Sequence, residues 1–167
     1  PYLKKLHFDG GCTEEIKSFI YKEKNPLIFL YTGMFDIWGG VDILVKTFSK
    51  LIDDDILLWI CGHGKMNPAT LNIIENDPRI KFFGTVPENE LEQIMTESHV
   101  LVNPRPPSQK GNQMNFPSKI LRYLSYGKPV ISSKSLGIGP EYSDVLIYED
   151  FENLQAFSNQ IKELKSW

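Results

Sequence analysis

The most constraining feature of this sequence is a repeated alternation of short apolar runs, Gly/Pro/Asn-rich loops and segments of helical period. The runs occupy residues 27–31, 56–60, 80–83, 100–103, 129–132 and 145–148. Each is short, and each is apolar at odd and even positions alike. A half-solvated strand would alternate instead, so these runs suit strands covered by helices on both faces, as in a parallel sheet. Between the first two, Val41, Leu44, Val45, Phe48 and Ile52 recur at helical spacing and mark one apolar stripe. Leu91, Ile94 and Met95 repeat the pattern, followed by Ile120, Leu121 and Leu124, and by Leu154, Phe157, Ile161 and Leu164. Strands alternating with amphipathic helices predict an α/β fold, a doubly wound Rossmann-like parallel sheet of about six strands.

Composition narrows the class. The 167 residues are enough for one domain with a core of its own. A hydrophobic content of 41%, a charged content of 23% and a mean hydropathy of -0.24 exclude a disordered chain and a membrane bundle. The net charge of -3 gives no overall field to hold a polyanion, so nucleic acid is not an expected partner. Cys12 and Cys61 are too few for a disulfide framework, and Cys61 closes an apolar run where a buried thiol is expected. No apolar stretch reaches the ~20 residues of a membrane span, and no signal-peptide pattern is visible. The expected compartment is the cytoplasm. The sequence opens at Pro1 rather than Met; residues 1–25 are expected to be a linker or the remnant of a missing neighbour, and residues 26–167 the domain.

In a doubly wound sheet, ligands bind beyond the carboxyl ends of the strands, where the strand order reverses. The loops at 32–40, 62–65, 84–87, 104–115 and 133–141 are therefore the places to search, and the loop at 104–115 is long enough to suggest a function. Gly62 and Gly64 around His63 allow close backbone approach to a ligand, and Lys65 could meet a phosphate. Asn67 stands where a dinucleotide fingerprint needs its third glycine, which argues against a hydride-transfer enzyme. His63 and His99 have no neighbours at metal-ligand spacing and read as structural. Asp53-Asp54-Asp55 resembles a cation-holding triplet, but it falls between a helix and a strand, at the amino edge of the sheet, and reads as a solvated turn.

The strongest constellation joins Asn103-Pro104-Arg105, at the end of the fourth strand, with Asn115-Phe116-Pro117-Ser118-Lys119 at the start of a helix. Asn115 suits the cap and Pro117 the first turn. The free N–H groups that remain, with the positive end of the helix dipole, predict an anion site. Ser118, Lys119 and Arg122 lie on one helical face. Lys119, Arg122 and Arg105 are expected to converge on one diphosphate, against the simpler alternative of a capped helix with solvated cations.

These residues carry a resemblance. The run Phe116-Pro117-Ser118-Lys119, continuing through Arg122-Tyr123 to Gly127-Lys128-Pro129-Val130-Ile131, resembles the nucleotide-sugar-binding segment of GT-B fold glycosyltransferases of the retaining family-four (group 1) type. Asn103-Pro104-Arg105, Gly137-Ile138-Gly139-Pro140-Glu141-Tyr142, Tyr31-Thr32-Gly33 with Gly40, Ile60-Cys61-Gly62-His63-Gly64 and Phe83-Gly84-Thr85-Val86 fit the same group. The resemblance implies two Rossmann-like domains facing a cleft, this chain being the carboxyl-terminal, donor-binding one. It implies that Gly33 and its loop approach the diphosphate, that Gly84, Thr85 and Val86 edge the base, and that Arg105 and Lys119 neutralise the phosphates as catalytic cations, without a metal or other cofactor. Two departures stand out. Met114 and Arg122 replace the usual pair of glutamates, the second an expected acceptor for the ribose hydroxyls; Met34 and Gly39 replace the usual Arg and Lys of the first loop.

The expected function is the donor domain of a retaining hexosyltransferase. It would use a nucleotide-diphosphate sugar, UDP-linked by preference, and a lipid-linked saccharide acceptor held by the missing amino-terminal domain. The product would be a bacterial surface polysaccharide such as O-antigen or capsule, with the full-length protein peripheral to the inner face of the cytoplasmic membrane. The alternatives are a degenerate, non-catalytic module that binds a nucleotide or a protein partner, and a Rossmann domain unrelated to sugar transfer.

Overall fold

The computed structural model describes residues 26–166. They form β1 (Leu27–Met34), α1 (Val41–Phe48), β2 (Ile56–His63), α2 (Pro68–Asn76), β3 (Ile80–Gly84), α3 (Glu88–Glu97), β4 (Val100–Asn103), α4 (Lys110–Met114), α5 (Lys119–Leu124), β5 (Val130–Ser132), a 3-10 turn (Pro140–Tyr142), β6 (Ile147–Tyr148) and α6 (Leu154–Leu164). The linker expected over residues 1–25, and Cys12 within it, lies outside the described residues.

The six strands form one sheet in the order β3-β2-β1-β4-β5-β6, and every pairing is parallel. This is the doubly wound Rossmann-like topology expected from the sequence. Its order reverses between β1 and β4, so the crevice that can take a ligand opens between the loops that follow these two strands.

Strand pleating explains why the runs are apolar throughout. Phe29 and Tyr31 of β1, with Ile56, Leu58 and Ile60 of β2, face one layer, where they meet Val41, Leu44, Val45 and Phe48 of α1 and Phe157, Ile161 and Leu164 of α6. Ile28, Leu30, Leu57, Trp59 and Cys61 face the other layer, against Ile94 and Met95 of α3 and Ile120 and Tyr123 of α5. Each large side chain buried this way contributes about 1.5–3 kcal/mol. The first layer is keyed by rings: Phe29 meets Phe48 and Phe157 edge-on, with centroids 6.3 and 6.1 Å apart.

The amino edge is closed by charge. Arg79 donates to Leu51 O at 2.7 Å and Asp53 O at 3.0 Å, pairs with Asp77 at 2.7 Å and lies over the Phe48 ring. Lys165 pairs with Asp53 at 2.7 Å, so the acidic triplet is tied into this edge, away from the ligand crevice. His99 Nδ1 accepts the Ile28 N–H at 3.0 Å, a structural role. Among the described residues, no helix is long and apolar enough to cross a membrane.

The structure corrects several details. The first stripe was expected to run to Ile52, but α1 ends at Phe48 and Ile52 is fully exposed, because the turn after Ser49 sends Leu51 inward instead. Leu121, placed in the α5 stripe, is exposed, and Tyr123 takes its buried position. Leu154 opens α6 exposed. The last strand is shorter than expected, since Val145 is held in a turn by its N–H to Tyr142 O. Two helices went unread. In α2, Asn67 caps Ala69 N at 2.9 Å ahead of Pro68, and α4 lies inside the long loop.

Replacing Phe157 with Ala removes a ring from the first layer and is expected to cost about 3–5 kcal/mol in urea unfolding, whereas Ile52→Ala is expected to change stability by less than about 0.5 kcal/mol.

Candidate functional site

The crevice between β1 and β4 is built on the last turn of β1. Beyond Tyr31 the strand leaves the core, and at Thr32 its backbone meets side chains of α5. Thr32 N donates to the Tyr123 hydroxyl at 3.0 Å, the two side-chain hydroxyls lie 2.9 Å apart, and Lys119 Nζ donates to Thr32 O at 2.8 Å. Helix α5 is thus fastened to the strand end by Tyr123 and Lys119. The Lys119 ammonium also lies 4.6 Å from the centroid of the buried Tyr31 ring, a cation–π contact. The Tyr31 hydroxyl donates to Met34 O at 2.7 Å and closes the loop on itself.

Two glycines make this packing possible. Gly33 has φ +150°, and a methyl group there would sit 2.6 Å from Lys119 Nζ. Gly62, its partner in the β1–β2 register, has φ +148°, and a methyl group there would overlap the Gly33 carbonyl. Phe35 N donates to His63 O at 2.7 Å, and Thr85 Oγ1 donates to Gly62 O at 3.1 Å. Gly33, Gly62, Gly64 and Thr85 therefore share the floor of one edge, with Val86 packed beside them on the second core layer.

From the β4 side, Asn103 is buried; its Nδ2 donates to Ser132 Oγ at 2.9 Å, while its Oδ1 has no partner among the described residues. Arg105 is partly buried in the loop that follows. Burial first, and the Arg105 charge second, press the Lys119 ammonium down from the usual lysine value to about 8. The two cations thus share one electrostatic field at the switch point. Asp36 offsets it in part while its carboxylate holds Trp38 N and Gly39 N at 3.0 and 2.7 Å. Burial, then the Tyr123 hydroxyl, raise the Tyr31 phenol well above the ordinary tyrosine range, so it stays a neutral donor.

The helix start differs from its expected form. Helix α5 begins at Lys119, and Ser118 before it makes no side-chain cap. Asn115 is not the cap: it is extended at the end of α4, and Pro117 intervenes. With six residues, α5 has little dipole to offer, so positive charge here comes from side chains. Nor does Arg122 join Lys119 and Arg105. It pairs with Glu88 at the start of α3, because a carboxylate lies within its reach on the outer side of α5. Pro117 is buried and Ser118 exposed.

Three residues that shape the site were given no role of their own from the sequence. Tyr31 was absorbed into an apolar run, and Tyr123 into a helical stretch. Asn112, buried in α4, donates to Trp38 O at 3.0 Å and Pro106 O at 3.1 Å, tying the first loop to the long one. A buried polar residue in a Gly/Gln/Lys-rich segment left no periodic signal; a tyrosine directly before Thr-Gly at a strand end did leave one.

Comparison with known proteins identifies the family and the fold. The family described as Glycosyl transferases group 1 matches residues 26–166. None of the curated proteins matches the sequence significantly. Among solved structures, a glycosyltransferase from Rickettsia africae is similar with a TM-score of 0.65 at 18% identity, over 94% of this chain and 43% of that one. HepE of Anabaena, solved in complex with UDP and glucose, gives 0.63 at 14% identity, over 90% and 41%. The C-terminal domain of LpcC, a group 1 glycosyltransferase of Francisella tularensis, gives 0.61 at 16% identity, over 86% and 77%. The chain spans less than half the length of the first two. The chain belongs to the group 1 glycosyltransferases, and its fold is that of one Rossmann-like half of their GT-B architecture.

Proposed function

We propose that this chain is the donor-binding domain of a retaining glycosyltransferase that takes a hexose from a nucleoside diphosphate, UDP by preference. The acceptor is a lipid-linked saccharide bound by a second domain, and the product a bacterial surface polysaccharide, made at the inner face of the cytoplasmic membrane. The observation that carries the donor reading is the Lys119 ammonium, held 2.8 Å from Thr32 O at the point where the strand order reverses, with Arg105 in the loop that follows the neighbouring strand. The two charges raise each other's cost, Asp36 offsets it only in part, and an added anion offsets it further. A diphosphate supplies that charge.

In this reading each residue has a task. Lys119 spends one of its three donors on Thr32 O and turns the others to the diphosphate. Arg105 offers a second, fork-shaped donor set. As the glycosidic bond breaks, negative charge grows on the leaving diphosphate, and cations fixed beforehand stabilise it without reorganising. They do what a divalent metal does elsewhere, so the transfer is proposed to run without one. Gly33 leaves the backbone open to the phosphates, and Thr85 and Val86 edge the base. With Arg122 engaged by Glu88 and Met114 exposed, neither usual glutamate position offers the ribose a carboxylate; these two positions favour the degenerate, non-catalytic module as the competing reading.

Calorimetric titration with UDP, GDP, ADP and NAD separates the readings: UDP is expected to bind, and binding of NAD alone overturns the proposal. Arg105→Ala combined with Lys119→Ala is expected to weaken UDP at least about tenfold, the loss of charge-assisted hydrogen bonds; unchanged affinity removes the diphosphate site.

A second outcome follows from the lowered Lys119 value. The ammonium is charged below pH ~8 and loses its proton above it. UDP affinity is expected to be full near pH 7 and to fall about tenfold by pH 9. The Lys119→Arg variant, charged throughout, is expected to show a flat profile over the same range.

A further inference from the structure

We infer that Tyr31 is the positioning residue of the diphosphate site: its ring seats the Lys119 ammonium and its hydroxyl locks the loop beside it. This rests on the donor reading above and assigns a role to a side chain that sits wholly inside the sheet layer.

A residue needed only to fill the core would not make these contacts. Tyr31 has no exposed surface, and a buried phenol costs stability unless its hydroxyl is bonded. Here the hydroxyl is used, on Met34 O at 2.7 Å, and the ring face carries the Lys119 ammonium 4.6 Å from its centroid. The same ammonium is fixed from a second direction by Thr32 O, the next residue of the strand. One ring and the adjacent carbonyl thus hold both the cation and the loop it serves.

The surrounding glycines record the same arrangement. A methyl group at Gly39 would collide with the Tyr31 hydroxyl, and one at Gly33 would sit 3.2 Å from it and 2.6 Å from Lys119 Nζ. The phenol therefore occupies the space where a side chain at position 39 would begin. With Met34 exposed and position 39 closed, the first loop brings no cation to the crevice. Lys119 enters from α5 instead, and Tyr31 gives it a fixed seat. A lysine is a long, flexible chain, and holding it before the ligand arrives lowers the ordering cost of binding.

A double-mutant cycle in the full-length enzyme tests this, read as UDP affinity by calorimetry. Tyr31→Leu is expected to weaken UDP about tenfold in the wild-type background and less than about twofold with Lys119→Ala. Tyr31→Phe keeps the ring and is expected to restore affinity to within about threefold of wild type. If Tyr31→Leu does not fold, the cycle is run with Tyr31→Met, which also removes the ring but adapts to the core, with the same pair of losses expected as for Tyr31→Leu. In NMR spectra of carbon-13 lysine-labelled protein without ligand, the Lys119 ε-methylene protons are expected to be ring-shifted upfield. That shift should survive Tyr31→Phe and disappear in Tyr31→Leu. Equal losses in both backgrounds, or an absent ring shift, overturn the seat while leaving UDP binding intact. Wild-type protein that shows the ring shift yet ignores UDP overturns the donor reading, and the diphosphate role of Tyr31 with it.

Discussion

The rest of the molecule depends on the burial of β1 from both faces and both sides. It pairs with β2 along its length and with β4 near its centre, and Ile28, Phe29, Leu30 and Tyr31 have no exposed surface. A strand so enclosed can carry no unpaired polar chemistry until it emerges. It emerges at Thr32 and Gly33, where the strand order reverses, so the topology fixes where a site can form and the core decides how rigidly it is held. The contacts of Lys119 and Tyr123 with Thr32 are the polar interactions that become available where the strand emerges.

Charge follows the same geometry. The chain is weakly acidic overall, yet the two edges of the sheet differ in how their ions are used. At the amino edge Arg79 and Lys165 are matched by Asp77 and Asp53, and these pairs close turns. At the carboxyl edge Lys119 feels Arg105 more than it feels Asp36. An average over the sequence cannot register this division, because it lies in which neighbours each cation is given and how much water they share.

Much of the fold was legible because a two-sided apolar run has few alternatives. Residues 100–103 were read to the residue, since all four are buried. Misreadings arose where a neighbour overrode a local pattern. Ile52 continued a helical spacing that the backbone abandoned at Ser49, and Val145 looked like strand until Tyr142 O held it in a turn. At the carboxyl edge, the sequence placed Arg105, Lys119 and the glycines in the loops and helix start where the structure has them. Their partners were not, since Arg122 meets Glu88 across 34 positions and Lys119 meets Thr32 across 87. Helical spacing says which side chains share a face, but not which distant group satisfies them.

The Asn112 carboxamide has one further consequence. By bonding both Trp38 O and Pro106 O, a single buried amide staples the loop after β1 to the loop after β4. The two walls of the crevice are thus one jaw, and a displacement on the Gly33 side must be transmitted to the Arg105 side.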